Sequence, residues 1–561
     1  MSRSFAIFLI LAAVAACDST HPPPPPEPPA QVLFFGGPVR SCVEGQPPQE
    51  ALLIQDERVL AVGTLKEVEG KAARTAQRVD LKGRTLMCAF VDGHIHAEPL
   101  GRPEWFVNSP EYVSNPAHPQ YPYGPNAAEV VQLFRERARH VPAGTPILAL
   151  VSVNFWSTVG QDPRATFDGV STEHPIIAVS WGGHGMAVNS ASLALAGYAD
   201  GQPDPYGGRL TRDASGRLTG FVQELAEVPL FQALAERLTD AELVAHATAY
   251  VQAAWKVGQV RGLNIPFMVS EQRGDRIYAQ VPGDFWRRAC LLTSPDEVCA
   301  PSVGELHYKI FVDGSPDRCE ALVKVPYVRP ETCPETVTSW LGFPNLSNDH
   351  IDRAIQRVAN GEGRLLAHAL GDGAVALLLS RLEALGGSRS WPNITLEHGD
   401  LIAREDVERA KALGLTLVQN PTHLASVPPL SAARYEPAVV AGSEPLRSLL
   451  DQGLTVAFAS DDFGSPTSTW LQLQLAVAHP FRPSEAITLD EALAAYTRVA
   501  AKARGWDGLG TLEPGKRASF QVLSRDPSST PVAELATITS VLTVVDGQVA
   551  WSDGSVVPAT P

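Results

Sequence analysis

Two histidines one residue apart, His94 and His96, close the apolar run Leu86-Met87-Cys88-Ala89-Phe90-Val91-Asp92-Gly93. In an extended strand, residues i and i+2 share a face, so both imidazoles emerge together where the strand ends. Paired imidazoles on a rigid support form a metal-binding element. Two polar residues at an ordinary strand end would show the same pattern. Further runs repeat the design. Arg364-Leu365-Leu366-Ala367 ends in His368, Asn393-Ile394-Thr395-Leu396-Glu397 ends in His398, and Leu454-Thr455-Val456-Ala457-Phe458-Ala459 leads to Ser460, Asp461 and Asp462. Residues 305–315 read as a strand and turn with Lys309 inside an otherwise apolar stretch. A lysine buried there is costly unless neutralised or paired; a side chain that snorkels to the surface is the alternative.

Helices must separate these strands. Gly371-Asp372 opens an Ala/Leu-rich helix, and residues 404–413 read as a helix stopped by Gly414, followed by a strand over 415–419. Such alternation predicts βαβ units and a parallel sheet. In a closed (β/α)₈ barrel the chemistry lies at the C-terminal ends of the strands, where each of these histidines and the aspartate would sit. The barrel is expected over residues 87–505, with a long insertion at about 98–234. The insertion holds an amphipathic helix (127–140), the segment 175–195 and a hairpin around Asp213-Ala214-Ser215-Gly216. Thr239-Asp240-Ala241-Glu242 is a capping box. It opens a helix with Leu243, Ala247, Tyr250, Val251 and Ala254 on one face, ended by Gly258. Residues 31–35, 50–63, 519–523 and 538–551 read as short strands.

The order His-x-His, Lys, His, His, Asp resembles the amidohydrolase superfamily of metal-dependent hydrolases. Flanking words resemble its YtcJ-like branch, also called amidohydrolase family 3, which includes N-substituted formamide deformylases. The words are Ala89 to His96, Gly183-His184 with Asn189-Ser190, Pro205 to Arg209, Arg212 to Gly220, Lys309 to Ser315, His368 to Ala374, Glu397-His398 and Leu512 to Ala518. Gln419-Asn420-Pro421-Thr422-His423 departs from the pattern by its Asn, and Ser519 replaces an Asp. The resemblance implies a small β-sandwich formed by both chain ends, residues 31–86 and 506–561, beside the barrel. It implies one metal on His94, His96 and Asp461, and a second on His368 and His398, with Lys309 bridging as a carbamate. Zinc is the expected ion, and Asp461 the group that takes the proton of the attacking water and passes it to the leaving amine. His184 and His423 are candidates for the substrate carbonyl or oxyanion, with hydrogen-bonded structural roles as the alternative. Glu224 reads as a surface carboxylate. The implied reaction cleaves a carbon–nitrogen bond of a small N-substituted amide. An ester, a cyclic amide or a deaminated ring is the alternative substrate, and a non-catalytic surface-binding lipoprotein the alternative class.

The 561 residues include 45 basic and 61 acidic side chains, a net charge of −16, without a Lys/Arg cluster, which argues against a nucleic-acid partner. At the N-terminus Arg3 precedes an apolar run too short to span a bilayer, and Val14-Ala15-Ala16-Cys17 resembles a bacterial lipobox. Residues 1–17 then form a lipoprotein signal, Cys17 carries a lipid anchor, and the Pro-rich stretch 18–30 is an extended spacer at the bacterial cell envelope. Among the other cysteines, Cys290–Cys299 and Cys319–Cys333 would close local loops, while connectivity involving Cys42 and Cys88 stays open.

Overall fold

The run that ends in His94 and His96 is divided between two sheets. In the computed structural model, which describes residues 31–108, 123–300, 304–328, 333, 339–387, 389–425, 432 and 435–556, Leu86–Cys88 belongs to a sheet built by both ends of the chain. Phe90–His96 belongs to the parallel sheet that carries the site. The leader through Cys17 and the spacer of residues 18–30 lie outside the described residues.

The first strands are β1 (Gln31–Arg40), β2 (Gln49–Gln55), β3 (Arg58–Gly63), β4 (Gln77–Asp80), β5 (Leu86–Cys88) and β6 (Phe90–His96). The excursion after β6 contributes β7 (Ile147–Val151), β8 (Ile176–Ser180), β9 (Gly185–Val188), β10 (Gly208–Arg212) and β11 (Leu218–Glu224). Then come β12 (Gln259–Asn264), β13 (Trp286–Leu291), β14 (His307–Phe311), β15 (Arg364–Ala369), β16 (Ile394–His398), β17 (Thr416–Gln419), β18 (Thr455–Phe458) and β19 (Asp462–Phe463). β20 (Phe520–Leu523), β21 (Ser540–Val545) and β22 (Gln548–Ser552) follow.

A nine-stranded parallel sheet runs β18-β17-β16-β15-β14-β13-β12-β6-β19. It curls until the chain beyond β18 returns against β6. There Asp461 N–H donates to the His94 carbonyl (2.9 Å) and Ser460 N–H to Asp92 Oδ1 (3.0 Å). This is the α/β, TIM-like architecture expected from the strand–helix alternation. Every residue of β14 and β16 is buried, as in strands covered on both faces. The expected single strand over 454–462 is broken at Asp461, whose φ of +57° turns the chain between β18 and β19.

The excursion forms its own five-stranded sheet, β10-β11-β9-β8-β7, and the Asp213–Gly216 turn joins β10 to β11 as expected. Its helix ends at Ala138, two residues earlier than the pattern suggested. The capping box at Thr239 is formed from both sides, with Glu242 reciprocating, and the predicted apolar face of Asp240–Lys256 is buried. The two chain ends share an eight-stranded sheet in which β5 stands between β1 and β20. All three cysteine pairs are bonded: Cys42–Cys88, Cys290–Cys299 and Cys319–Cys333, with Cα separations of 6.1, 5.7 and 5.6 Å. Among the described residues no helix is long and apolar enough to cross a membrane.

The Cys42–Cys88 bond closes the longest loop, 46 residues, directly before the strand that presents His94. Loop-closure entropy assigns such a bond about 2–4 kcal/mol. The pair Cys42→Ser and Cys88→Ser should therefore unfold at a clearly lower denaturant midpoint; an unchanged midpoint would deny the bond a stabilising role.

Candidate active site

β6, β14, β15 and β16 aim their C-terminal halves at one point. The register sets Lys309 beside Leu366, Phe311 beside His368 and Ala369 beside His398. His94 and His96 share a face of β6, as their spacing requires, and Asp461 comes to meet them from the turn after β18. Asp461 Oδ1 lies 3.1 Å from His96 Nε2 and 3.4 Å from His94 Nε2. Asp461 Oδ2 lies 3.9 Å from His398 Nδ1 and 3.6 Å from His423 Nε2. The His368 ring is 4.5 Å from that of His398, and Lys309 Nζ is 3.3 Å from His94 Nε2. The six expected ligand residues are thus gathered, with His184 and His423 at the edge. His184 stands 4.8 Å, ring to ring, from His368.

Consecutive residues in a strand face opposite ways. Glu397 and His398 nevertheless both serve the centre, because His398 takes φ of +71° at the strand end. The left-handed region is unfavourable for a non-glycine residue and persists only when its surroundings hold it. Here Gln419 donates to the His398 carbonyl (2.6 Å) and Asn420 Oδ1 lies 2.7 Å from His398 Nδ1. The Asn in the 419–423 segment, a departure from the family pattern, thereby orients a candidate ligand.

The rings of His94 and His96 each have a partner that fixes the tautomer. His94 Nδ1 donates to Glu397 Oε2 (2.7 Å), and His96 Nδ1 donates to the Ile265 carbonyl (3.0 Å). Their Nε2 atoms therefore carry lone pairs toward Asp461 Oδ1, itself without a hydrogen-bond donor. His94 Nε2 and His96 Nε2 each face Asp461 Oδ1, at 3.4 and 3.1 Å, and acceptor against acceptor is an arrangement that a cation among them relieves. Among the described residues neither ring nitrogen of the buried His368 makes a hydrogen bond, Asp313 Oδ1 standing 3.7 Å from Nε2, a costly condition that a metal relieves. His94, His398 and Asp461 present ligand atoms within 4.8 Å of one another. The donor set of imidazoles and a carboxylate fits a divalent cation.

Burial also fits these groups for that task. It pushes His94 down to about 4, with the Lys309 cation adding to the effect, and His398 down to about 3. His368 is held well below the usual histidine range by burial and by its histidine neighbours. All three are neutral, lone-pair-bearing rings at neutral pH. Burial would raise Asp461, but His94, His423 and His96 beside it hold its carboxyl well below the usual range. Burial pushes Lys309 down to about 8, against the pull of Glu397 and Asp461. For His423, burial is overcome by the Asp400 and Asp461 carboxylates, which hold it well above its ordinary value.

The space above is a small pocket, lined in addition by Gly182, Gly183, His184, Phe267, Phe311 and Phe463. Phe463 stacks on His96 at 4.6 Å and Phe311 packs against His368 at 5.1 Å. Gly183 has φ of +73°, and a Cβ there would stand 2.7 Å from the Phe463 ring.

Several contributors were not singled out from sequence. Glu397 was visible only as the neighbour of a histidine. Arg504, far along the chain, had no signal: fully buried, it donates to Glu397 Oε2, Thr395 Oγ1 and the Gly93 carbonyl, each at 2.8 Å. The three phenylalanines carried no pattern. Glu224, expected at the surface, is buried and bound to His184, because β11 runs into the body of the protein instead of along its outside.

Histidines and a carboxylate thus gather at the C-terminal ends of the strands of a TIM-like sheet. The chain belongs to the amidohydrolase family, whose profile matches residues 77–550, and it is a hydrolase acting on carbon–nitrogen bonds. It is 27% identical to the N-substituted formamide deformylase of Arthrobacter pascens, covering 89% of this chain and 94% of that one. It is 24% identical to the putative amidohydrolase YtcJ of Bacillus subtilis (strain 168), covering 93% and 99%. Among solved structures, uncharacterized metal-dependent hydrolases from Pyrococcus furiosus and Pyrococcus horikoshii OT3 share the fold. Their TM-scores are 0.61 and 0.63 at 22% and 20% identity, over 89% and 90% of this chain and 100% and 99% of theirs.

Removing Arg504 would leave Glu397 as an uncompensated buried charge behind His94. Arg504→Met should cost about 3–5 kcal/mol of stability. Arg504→Lys should not restore it, because one ammonium cannot reach three acceptors in a plane. Denaturant unfolding checks both; a loss below about 1 kcal/mol would mean that Glu397 is stabilised otherwise.

Proposed function

We propose that the chain hydrolyses the carbon–nitrogen bond of a small N-substituted amide, using one or two divalent cations, zinc by ligand type. In this reading His94, His96 and Asp461 would hold one ion and His368 and His398 the second, and Lys309 would join them as the carbamate that its neutral amine forms by adding carbon dioxide and losing a proton. When bound, such a cation acidifies water to a nucleophile near neutral pH and polarises a carbonyl. Asp461 takes the proton of the attacking water and delivers it to the departing amine. His423, held between Asp400 (2.9 Å) and Asp461 (3.6 Å), keeps that carboxylate in place and faces the substrate oxygen. His184 binds the substrate from the opposite side. Phe267, Phe311 and Phe463 limit access of bulk water. The observation that carries the reading is the approach of His94 Nε2 and His96 Nε2 to Asp461 Oδ1, at 3.4 and 3.1 Å, beside a buried His368 whose ring nitrogens make no hydrogen bond among the described residues. The likeness to a formamide deformylase supports an amide as the substrate class.

We assign residues 87–505 to the barrel, with its insertion at about 98–234, and residues 31–86 and 506–561 to a small β-sandwich. Residues 1–17 are assigned to a lipoprotein signal and 18–30 to a spacer.

Elemental analysis of the purified protein should find one to two equivalents of a divalent metal, with turnover of N-substituted amides lost to chelator and restored by zinc. His368→Ala should lower the metal content and cut turnover by about 10²-fold or more without changing the circular dichroism. Lys309→Ala should be partly restored by short carboxylic acids. A folded preparation that holds no metal and gains no activity from added zinc overturns the reading.

Lipid attachment at Cys17 places the protein at the bacterial cell envelope. Cys17→Ser should leave the membrane fraction or accumulate as precursor; fractionation identical to the parent would refute the anchor.

A further inference from the structure

β11 ends at Glu224, whose φ is +56°. Its side chain turns inward, and both carboxylate oxygens lie 3.2 Å from His184 Nδ1. Asn345 Nδ2 donates to Glu224 Oε2 at 2.8 Å. A Cβ at Gly314 would collide with Glu224 Oε1, so the loop after β14 is shaped around this carboxylate. Behind it lies a second buried acid, Glu320, hydrogen-bonded by Gln223 and paired with Arg318 at 3.4 Å. Arg318 is sealed beneath the Trp156 ring at 3.8 Å, and its guanidinium nitrogens make no hydrogen bond. Burial raises the Glu320 carboxyl well above its ordinary range, with Arg318 opposing and Glu224 adding to the rise. A chain of polar groups thus runs from Arg318 through Glu320 and Glu224 to a ring that lines the cavity next to His368. A strand-end anchor alone would not require two buried carboxyls on one line, nor both oxygens of Glu224 aimed at a single ring nitrogen.

We propose that Glu224 is the positioning residue of His184. It accepts the Nδ1 hydrogen and turns the opposite edge of the imidazole to the cavity, while Glu320 and Arg318 hold Glu224 in turn. The inference rests on the reading of His184 as a substrate-binding residue.

Two measurements on the metal-loaded full chain test it. The first follows hydrolysis of formanilide by His184→Ala, Glu224→Gln and the double variant. Each single variant should lose about 10²-fold in kcat/KM, and the double variant should be no worse than His184→Ala, since the two act as one unit. Losses that multiply overturn the inference. The second follows carbethoxylation of His184 by diethyl pyrocarbonate, mapped by mass spectrometry, and needs no substrate. The rate at His184 should fall several-fold in Glu224→Gln while the other histidines react as in the parent. An unchanged rate overturns the inference. Asn345→Ala, which strips only the amide bond to Glu224, is the second variant should Glu224→Gln misfold, and it should show a smaller fall; an unchanged rate there overturns the inference equally. Full formanilide turnover in His184→Ala would defeat the reading of His184, and the carbethoxylation result would still decide whether Glu224 orients the ring.

Discussion

Like atoms meet at the centre of this protein. His94 Nε2, His96 Nε2 and Asp461 Oδ1 converge with their lone pairs inward, and their surroundings hold them against mutual repulsion. Burial keeps the rings neutral, and partners behind each ring settle which nitrogen faces in. Behind His94 stands Glu397, and behind Glu397 stands Arg504, which also holds the Gly93 carbonyl. A Cβ at Gly93 would come within 2.7 Å of Arg504 Nε, so the glycine of the His-x-His segment is required by a contact on the far side of the strand. The geometry of the cavity is thus fixed from behind by a buried ion pair.

The excursion after β6 supplies what the barrel lacks. Its five-stranded sheet brings Gly182, Gly183 and His184 over the histidines, and its last strand ends on a carboxylate that locks His184. The loop after β14 meets it halfway: Gly314 leaves room for Glu224, and Glu320 and Arg318 lie behind. The strand carrying Lys309 therefore helps to position a side chain from a different sheet.

Much of this was legible in the sequence because strand-end residues follow from local rules. Apolar runs closed by His94, His96, His368 and His398 announce a two-sided buried sheet and its chemical edge. Period-two alternation, however, predicts that only one of Glu397 and His398 can face the centre. The positive φ of His398 breaks that rule, as that of Asp461 does for the expected 454–462 strand, and such local reversals leave no composition signal. Arg504 and the phenylalanines were invisible for another reason. Their roles come from contacts across the barrel, and a pattern read along the chain holds no information about what stands opposite. Glu224 looked like a surface charge because burial of a carboxylate is decided by its partners, which here are brought from the excursion and the β14 loop.

β5 lies between β1 and β20, and β6 follows it after a single residue. The His94–His96 pair thus hangs from a strand whose second neighbour is made only after the whole barrel has been synthesised. A chain emerging from the ribosome, or one halted before β20, has its first histidine pair but no finished frame to hold it. Assembly of the centre is in this way tied to completion of the polypeptide, and the joint between β5 and β6 marks when the fold is finished.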